Sequence, residues 1–187
     1  MLGSINCFSQ EEYQLKVEFN SNMPFREYII DLHKTNDNAT IYFMRYTEEL
    51  EKMNTKDSLR IKTLYHKFDR KREDNQEIES LIDKYKIYQM DTIRISHDSS
   101  ILAFSDSITN SESKIQAEKS IYKNRIVIDG SLIYLNVKCS NNYNFRFLFN
   151  SPDDKIFSLI YNYLIEMLEY YRSCSSTPIL DKQYTWY

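Results

Sequence analysis

The stretch from Arg125 to Arg172 constrains the fold more than any other part of the chain. Apolar and polar residues alternate through its first half, which predicts three antiparallel strands with one buried face. Asp129-Gly130 is typical of a two-residue hairpin turn, because both positions must accept a positive φ. Such a turn places Ile126 opposite Ile133. The pattern therefore predicts a three-stranded meander.

A long helix is predicted directly after these strands. Ser151 is a favoured N-cap residue, Pro152 suits the first helical position, and the two aspartates that follow complement the helix dipole. From Lys155 to Arg172 apolar residues recur with the i, i+3, i+4, i+7 spacing of a helix that has one apolar stripe. The stripe and the apolar sheet face bury each other, and each large side chain contributes roughly 1.5–3 kcal/mol when fully buried.

The N-terminal part of the chain shows the same alternation. Residues 13–20 alternate strictly, and residues 28–33 and 39–46 follow the same pattern with polar turns between them. These three segments predict a second meander. Thr47, followed by three glutamates within four residues, predicts the start of a helix.

The middle of the chain is predicted to be helical at first and irregular afterwards. Apolar spacing in residues 61–68 and 78–85 predicts a helical hairpin, and residues 87–95 predict a strand, with a weaker one at 100–104. Residues 105–120 are polar and rich in serine, which indicates a mobile surface loop. A short exposed helix from Ser111 is the alternative.

These elements predict an α+β fold in which an antiparallel sheet of two meanders is packed on one face by the long C-terminal helix, with a central helical hairpin. Residues 11–173 are expected to form a single domain. Residues 1–10 are either a signal-peptide remnant or a flexible N-terminus, and residues 174–187 form a C-terminal tail. The aromatic residues of that tail are expected to dock on the chain's own sheet.

Composition argues against several classes of partner and cofactor. A net charge of −3 provides no field that attracts nucleic acid or an anionic membrane. Only 2 glycines in 187 residues leave little material for a glycine-rich phosphate loop, and we predict no cofactor. No apolar run reaches the roughly 18 residues that a membrane-spanning helix requires.

The cysteines at positions 7, 139 and 174 match neither a zinc-site spacing nor a CxxC redox pair. A C-terminal helix that runs back antiparallel over the sheet brings Cys174 close to Cys139. A disulfide between these two residues is therefore one expectation, and two reduced thiols are the alternative.

The residues that could take part in catalysis do not form a recognisable active-site arrangement in the sequence. His33 and His66 are expected on solvated surfaces, and consecutive residues such as Ser96-His97-Asp98 cannot converge on one reacting atom. No metal-ligand spacing is present. The basic cluster at residues 60–72 is expected to be a salt-bridged, solvated helix face. We therefore predict that the protein is not an enzyme.

Several features resemble small exported proteins that are common in Bacteroidetes-type bacteria. They are the CFSQ sequence at residues 7–10, the high content of Tyr, Lys, Asn and Ile, and an IDG hairpin followed by FNSPDDKIFSLIYNYL at residues 149–164. The resemblance implies the periplasm or the cell surface and carries over no functional residue. Residues 1–10 also look like the end of a signal peptide. A cytoplasmic protein is the alternative.

The leading hypothesis is a non-enzymatic protein-binding protein of the bacterial envelope, in its concrete form an immunity protein that neutralises a secreted toxin. One alternative is an atypical hydrolase that uses His97 with Asp98 or Asp106. Another is a structural subunit of an envelope assembly. The residues expected to contact a partner are Arg125, Tyr134, Arg146, Tyr161, Ile165 and Trp186.

Overall fold

The computed structural model describes residues 12–22, 25–125, 127 and 130–184. Within these residues the chain forms strands and helices in the following order: β1 (Tyr13–Asn22), β2 (Phe25–Lys34), β3 (Ala39–Leu50), α1 (Thr55–Tyr65), α2 (Arg72–Asp83), β4 (Lys86–Ile95), α3 (Ser100–Thr109), α4 (Glu112–Ile121), β5 (Ser131–Cys139), β6 (Asn144–Asn150) and α5 (Ser158–Cys174). A single 3₁₀ turn at Lys182–Tyr184 follows. The predicted α+β fold is confirmed.

The strands form one six-stranded sheet in the order β4-β3-β2-β1-β5-β6. The first strand, β1, lies between β2 and β5 and is antiparallel to both. Its register with β5 runs from Tyr13 opposite Cys139 to Ser21 opposite Ser131. A strand from the first part of the chain therefore pairs with one from the last third in the middle of the sheet.

The chain divides into two compact units, which we describe separately. The smaller unit, Tyr46–Gln89, contains α1 and α2, so the predicted helical hairpin is confirmed. Asn54 caps α1 by accepting the N–H of Asp57 at 2.8 Å. Between the helices, Arg60 donates two hydrogen bonds of 2.7 Å to the carboxylate of Glu77.

The larger unit, which contains the residues up to Arg45 and from Met90 onwards, holds the main hydrophobic core. Alternate residues enter this core from β1, β2, β5, β6 and the first half of β3, and Ile95 enters it from β4. There they meet side chains of α3, α4 and α5. Tyr171 of α5 stacks on Phe43 of β3 with ring centroids 4.1 Å apart. The predicted packing of the C-terminal helix on one face of the sheet is confirmed.

The C-terminal helix begins six residues later than the cap pattern predicted, at Ser158 instead of Pro152. Ser151 adopts a positive φ of 43° and is not an N-cap. Asp153 folds back and accepts the N–H groups of Lys155 at 2.9 Å and Ile156 at 2.8 Å. These side-chain bonds hold the segment in a turn that competes with helix formation.

The predicted pairing of Ile126 with Ile133 is wrong. Ile133 lies between Phe19 of β1 and Phe149 of β6, so both pairing edges of β5 are already occupied at this position. Within the described residues the second meander consists of two strands, β5 and β6. The hairpin turn at Asp129, with Ile126 and Ile128, lies outside the described residues.

The helix predicted to begin at Thr47 is also wrong, because β3 continues to Leu50. The Thr47 hydroxyl donates to the carbonyl of Ile87 on β4 at 3.0 Å, within the smaller unit. The three glutamates that suggested a first helical turn fall at the end of a strand and in the connection to α1. A cap pattern alone does not distinguish these two contexts.

Residues 100–120 form two helices, so the predicted strand at 100–104 and the predicted mobile loop are both wrong. The alternative of a helix from Ser111 agrees with α4. Ile108 and Ile115 are at most 1% exposed, and this burial outweighs the weak helix propensity of the serines. Serine hydroxyls also bond carbonyls within the helices, as Ser105 does with Ile101.

Cys139 and Cys174 do not form a disulfide. Cys139 is buried, Cys174 is exposed, and their two sulfur atoms are not bonded to each other. Tyr171 stacks on β3, which is three strands away from β5, so the end of α5 lies about 14 Å from the strand that carries Cys139. A disulfide requires Cα atoms within about 7 Å of each other.

Candidate functional site

The sheet has one face that the core does not use, and it is accessible on β1, β5 and β6. We call this surface the open face and define it by these residues: Lys16, Glu18, Leu132, Tyr134, Asn136, Lys138, Arg146 and Leu148. They alternate with core residues such as Leu135 and Phe149. This alternation follows from the pleat of the strands.

Three apolar side chains form a patch on the open face. Leu132 is 36% exposed, Tyr134 is 43% exposed and Leu148 is 40% exposed. Tyr134 lies directly opposite Leu148 in the β5–β6 register, and Leu132 is two residues before Tyr134 on the same strand. Side chains in these relations contact one another across a sheet. The three residues therefore form one apolar surface.

Charged and polar groups surround this apolar patch. Glu18 lies opposite Tyr134 on β1, and its carboxylate is 2.7 Å from the ammonium of Lys16. Arg146 is exposed on β6, and its Nε donates to the side chain of Asn136 at 3.4 Å. An apolar centre with a polar rim that contains Tyr and Arg is typical of a protein-binding surface.

Asp31 is a buried carboxylate on the side of β2 that faces away from the core. Gln14 donates from Nε2 to both of its carboxylate oxygens at 2.9 Å, and His33 Nε2 lies 3.1 Å from Oδ1. Tyr42 packs edge-on against His33 at 5.2 Å. His33 is therefore fixed by neighbours, although the sequence suggested a merely solvated side chain. Among the described residues no nucleophile is hydrogen-bonded to it.

The predicted partner residues do not converge on one surface. Tyr134 and Arg146 lie on the open face, whereas Tyr161 and Ile165 are half-buried on α5, across the sheet from it. Arg125 lies beyond α4 and not on the wet face of a strand. Trp186 lies outside the described residues. Tyr184 of the tail packs against Tyr28 in the core at 6.1 Å.

A cavity of about 340 Å³ lies between the C-terminal part of α4 and the outer edge of β6. Its lining includes Lys119, Lys123 and Arg125, together with the rings of Tyr122 and Phe157. The i, i+4 spacing of the two lysines was visible in the sequence. The sequence did not predict this cavity, because residues 105–120 were expected to form a loop, in which i, i+4 spacing indicates no common face.

Cationic side chains hold the edge of β6 at this cavity. The ammonium of Lys119 donates to the carbonyl of Leu148 and lies 5.3 Å from the centre of the Phe149 ring. Arg125 donates to the carbonyls of Asn150 at 3.0 Å and Ser151 at 2.7 Å. Burial lowers the pKa of Lys119. The edge carbonyls are thus bonded by side chains instead of by another strand.

Both aspartates proposed for an atypical hydrolase have hydrogen-bond partners other than His97. His97 is exposed in a turn, and Asp98 is hydrogen-bonded to Ser96, which lowers the pKa of Asp98. Asp106 accepts hydrogen bonds from Tyr13 at 2.9 Å and Lys34 at 2.8 Å. In the part of the chain that the structure describes, His97 is bonded to neither aspartate.

No group of three or more His, Cys, Asp or Glu residues within the described ranges is arranged to hold a metal ion. The helices formed by these same residues are too short or too polar to cross a membrane. No protein-family model matches the chain, and no curated protein or solved structure is significantly similar to it.

Proposed function

We propose that this is a non-enzymatic binding protein that recognises another protein through the open face of its sheet. The observation that carries the proposal is the contiguous patch of Leu132, Tyr134 and Leu148, which are between 36% and 43% exposed. These side chains contribute nothing to the core on the other face. Burial against a partner would remove their apolar surface from water.

The composition of the rim supports a protein partner. Tyr and Arg are enriched among the residues that dominate binding energies, and both occur here next to aliphatic neighbours. The ion pair of Lys16 with Glu18 and the contact of Arg146 with Asn136 leave polar groups of both signs at the edge of the patch. The fitting partner is a protein with an apolar protrusion bordered by polar groups of both signs.

The bacterial envelope remains the proposed location, and inhibition of a secreted toxin the proposed biological form. The first proposal rests on the resemblance of residues 7–10 and 149–164 to exported proteins. The second rests on the small size, the acidic charge and the absence of a catalytic motif in the sequence. Identification of the partner tests both proposals together.

The test uses purified protein to isolate a stoichiometric complex from the native cells, followed by affinity measurement with the purified partner. The double substitution Tyr134→Asp and Leu148→Asp introduces two charges into the centre of the patch. Loss of such a central contact costs about 2 kcal/mol or more, so we expect binding to weaken at least 30-fold.

A matched control is Leu59→Asp, because Leu59 is 63% exposed on α1 in the smaller unit. This variant should bind the partner as the wild type does. Circular dichroism must show that both variants remain folded. Equal affinity of the open-face variant and the control for the partner would overturn the proposal.

A further inference from the structure

We propose that the cavity between α4 and the edge of β6 binds a small phosphate monoester. The cavity shares Leu148 with the open face, but the argument for this site rests on the charge, the donors and the dimensions of the cavity. The lining contains three cationic side chains, and among its described residues there is no carboxylate.

Among the described residues, two carboxylates next to the cavity already have partners. Glu118 accepts the backbone N–H of Phe157 at 2.6 Å. Asp153 accepts two backbone N–H groups and lies 3.4 Å from the guanidinium of Arg125. Burial by itself would raise the pKa of the Asp153 carboxyl group. These N–H groups and the charge of Arg125 outweigh burial, so the pKa of Asp153 is lowered.

Neither Lys119 nor Lys123 has a carboxylate partner in the described part of the chain. The ammonium of Lys119 contacts a carbonyl and an aromatic ring, which are neutral. Lys123 is exposed and makes no ion pair with a described residue. The cavity therefore has an excess of positive charge that an anion can neutralise.

The edge of β6 adds backbone donors to these cations. The N–H of Ser151 donates to the carbonyl of Ser131, and the N–H of Cys139 donates to the carbonyl of Tyr143. The odd-numbered residues of β6 therefore direct their backbone N–H and C=O groups towards β5. In an antiparallel pair the intervening residues then direct their N–H groups outwards. Leu148 and Asn150 are such residues, and both line the cavity.

The charge of the cavity matches a phosphate monoester better than a single carboxylate. A monoester carries about −1.5 to −2 charges at neutral pH and offers three acceptor oxygens. Lysine and arginine are the side chains that commonly bind such groups. Two lysines without carboxylate partners, together with two outward N–H groups, exceed what one carboxylate can use.

The dimensions of the cavity limit the size of the group that is esterified to the phosphate. A volume of about 340 Å³ is at the lower end of the roughly 300–1,000 Å³ typical of small-molecule sites. Tyr122 and Phe157 form an edge-to-face pair at 5.5 Å in its wall. The esterified group is therefore small and apolar or aromatic.

The experiment is isothermal titration calorimetry of the full chain with phenyl phosphate as the probe. We expect saturable binding with one site per chain, and weaker binding of inorganic phosphate, which lacks the ring. Lys123→Ala should weaken phenyl phosphate binding at least tenfold, because a hydrogen bond to a charged group is worth about one factor of ten or more.

Lys114→Ala is the matched control, since Lys114 is an exposed lysine of α4 and does not line the cavity. It removes the same charge and should change the affinity less than twofold. Any of three results would overturn the proposal: no saturable heat at millimolar probe, equal weakening by the two variants, or binding of inorganic phosphate as tight as that of phenyl phosphate.

Discussion

At the scale of single residues, the core depends on buried tyrosines that keep their protons. Tyr13, Tyr28, Tyr163 and Tyr171 are at most 5% exposed. Burial raises the pKa of all four phenols above the ordinary value, and for Tyr13 the charge of Asp106 adds to this effect. The sequence contains 16 tyrosines, but only the structure shows which of them are buried in the core.

Tyr171 makes this property measurable. Its hydroxyl donates to Asp91 at 2.8 Å and accepts the N–H of Ile179 at 2.9 Å. Burial, aided by the hydrogen bond and charge of Asp91 and opposed by Ile179, raises its pKa to about 12. The unfolded phenol ionises near pH 10, so the unfolded state loses its proton first. The free energy of unfolding should therefore fall as the pH rises from about 10 to 12.

Urea unfolding at stepped pH values measures this decline. The Tyr171→Phe variant lacks the ionising group, so its free energy of unfolding should depend less steeply on pH in this interval. Tyr134→Phe is the control, because Tyr134 is exposed. The free energy of unfolding of this variant should vary with pH as that of the wild type does. An identical slope for Tyr171→Phe and the wild type would show that Tyr171 does not contribute.

At the scale of secondary-structure elements, Gly130 is constrained by space and not by a positive φ. The hairpin pattern assigned it a left-handed turn position, but its φ is not positive. A Cβ atom at Gly130 would lie 2.0 Å from Ser151 Oγ and 2.7 Å from Val127 Cγ1. The Ser151 hydroxyl accepts the N–H of Ser131 at 2.9 Å and so joins the start of β5 to the end of β6.

We predict that Gly130→Ala lowers the free energy of unfolding by about 1–3 kcal/mol, the usual cost of overpacking. Urea denaturation measures the loss. In a Ser151→Ala background the closest clashing atom is absent, so the same substitution should cost less. A neutral Gly130→Ala substitution in the wild-type background would contradict this account.

At the scale of the whole molecule, the main core is built from residues of the larger unit alone. The smaller unit has its own buried residues, Leu64, Ile78 and Leu81. At its base the N–H of Glu51 donates to the carbonyl of Tyr85 at 2.7 Å, which brings the two ends of the helical hairpin together. A tight turn can therefore replace the segment between these residues.

We expect a chain in which residues 52–84 are replaced by Asn-Gly to fold. Because the main core keeps all its side chains, thermal unfolding followed by circular dichroism should remain cooperative. A matched control with a flexible Gly/Ser linker of 33 residues in the same place separates loss of the helices from shortening of the connection. Loss of the cooperative transition in both variants would contradict the prediction.

Local patterns in the sequence determined the strands, the helical hairpin and the polarity of the faces. Tyr134 and Arg146 were placed correctly on an outward strand face, because the period of two depends only on the pleat of the strand. The start of α5 was misplaced, because the same Ser-Pro-Asp-Asp residues also suit a turn closed by Asp153. Short-range signals of this kind do not show which of the competing local hydrogen bonds form in the folded chain.

Only the tertiary structure decided the arrangement of these elements. The insertion of β1 between β2 and β5, the burial of Ile108 and Ile115 in serine-rich helices and the separation of Cys139 from Cys174 all depend on contacts between distant segments. The cavity likewise exists because α4 packs along the outer edge of β6. Free energy gained by burial between distant residues outweighs local propensity, and a linear pattern does not contain that pairing.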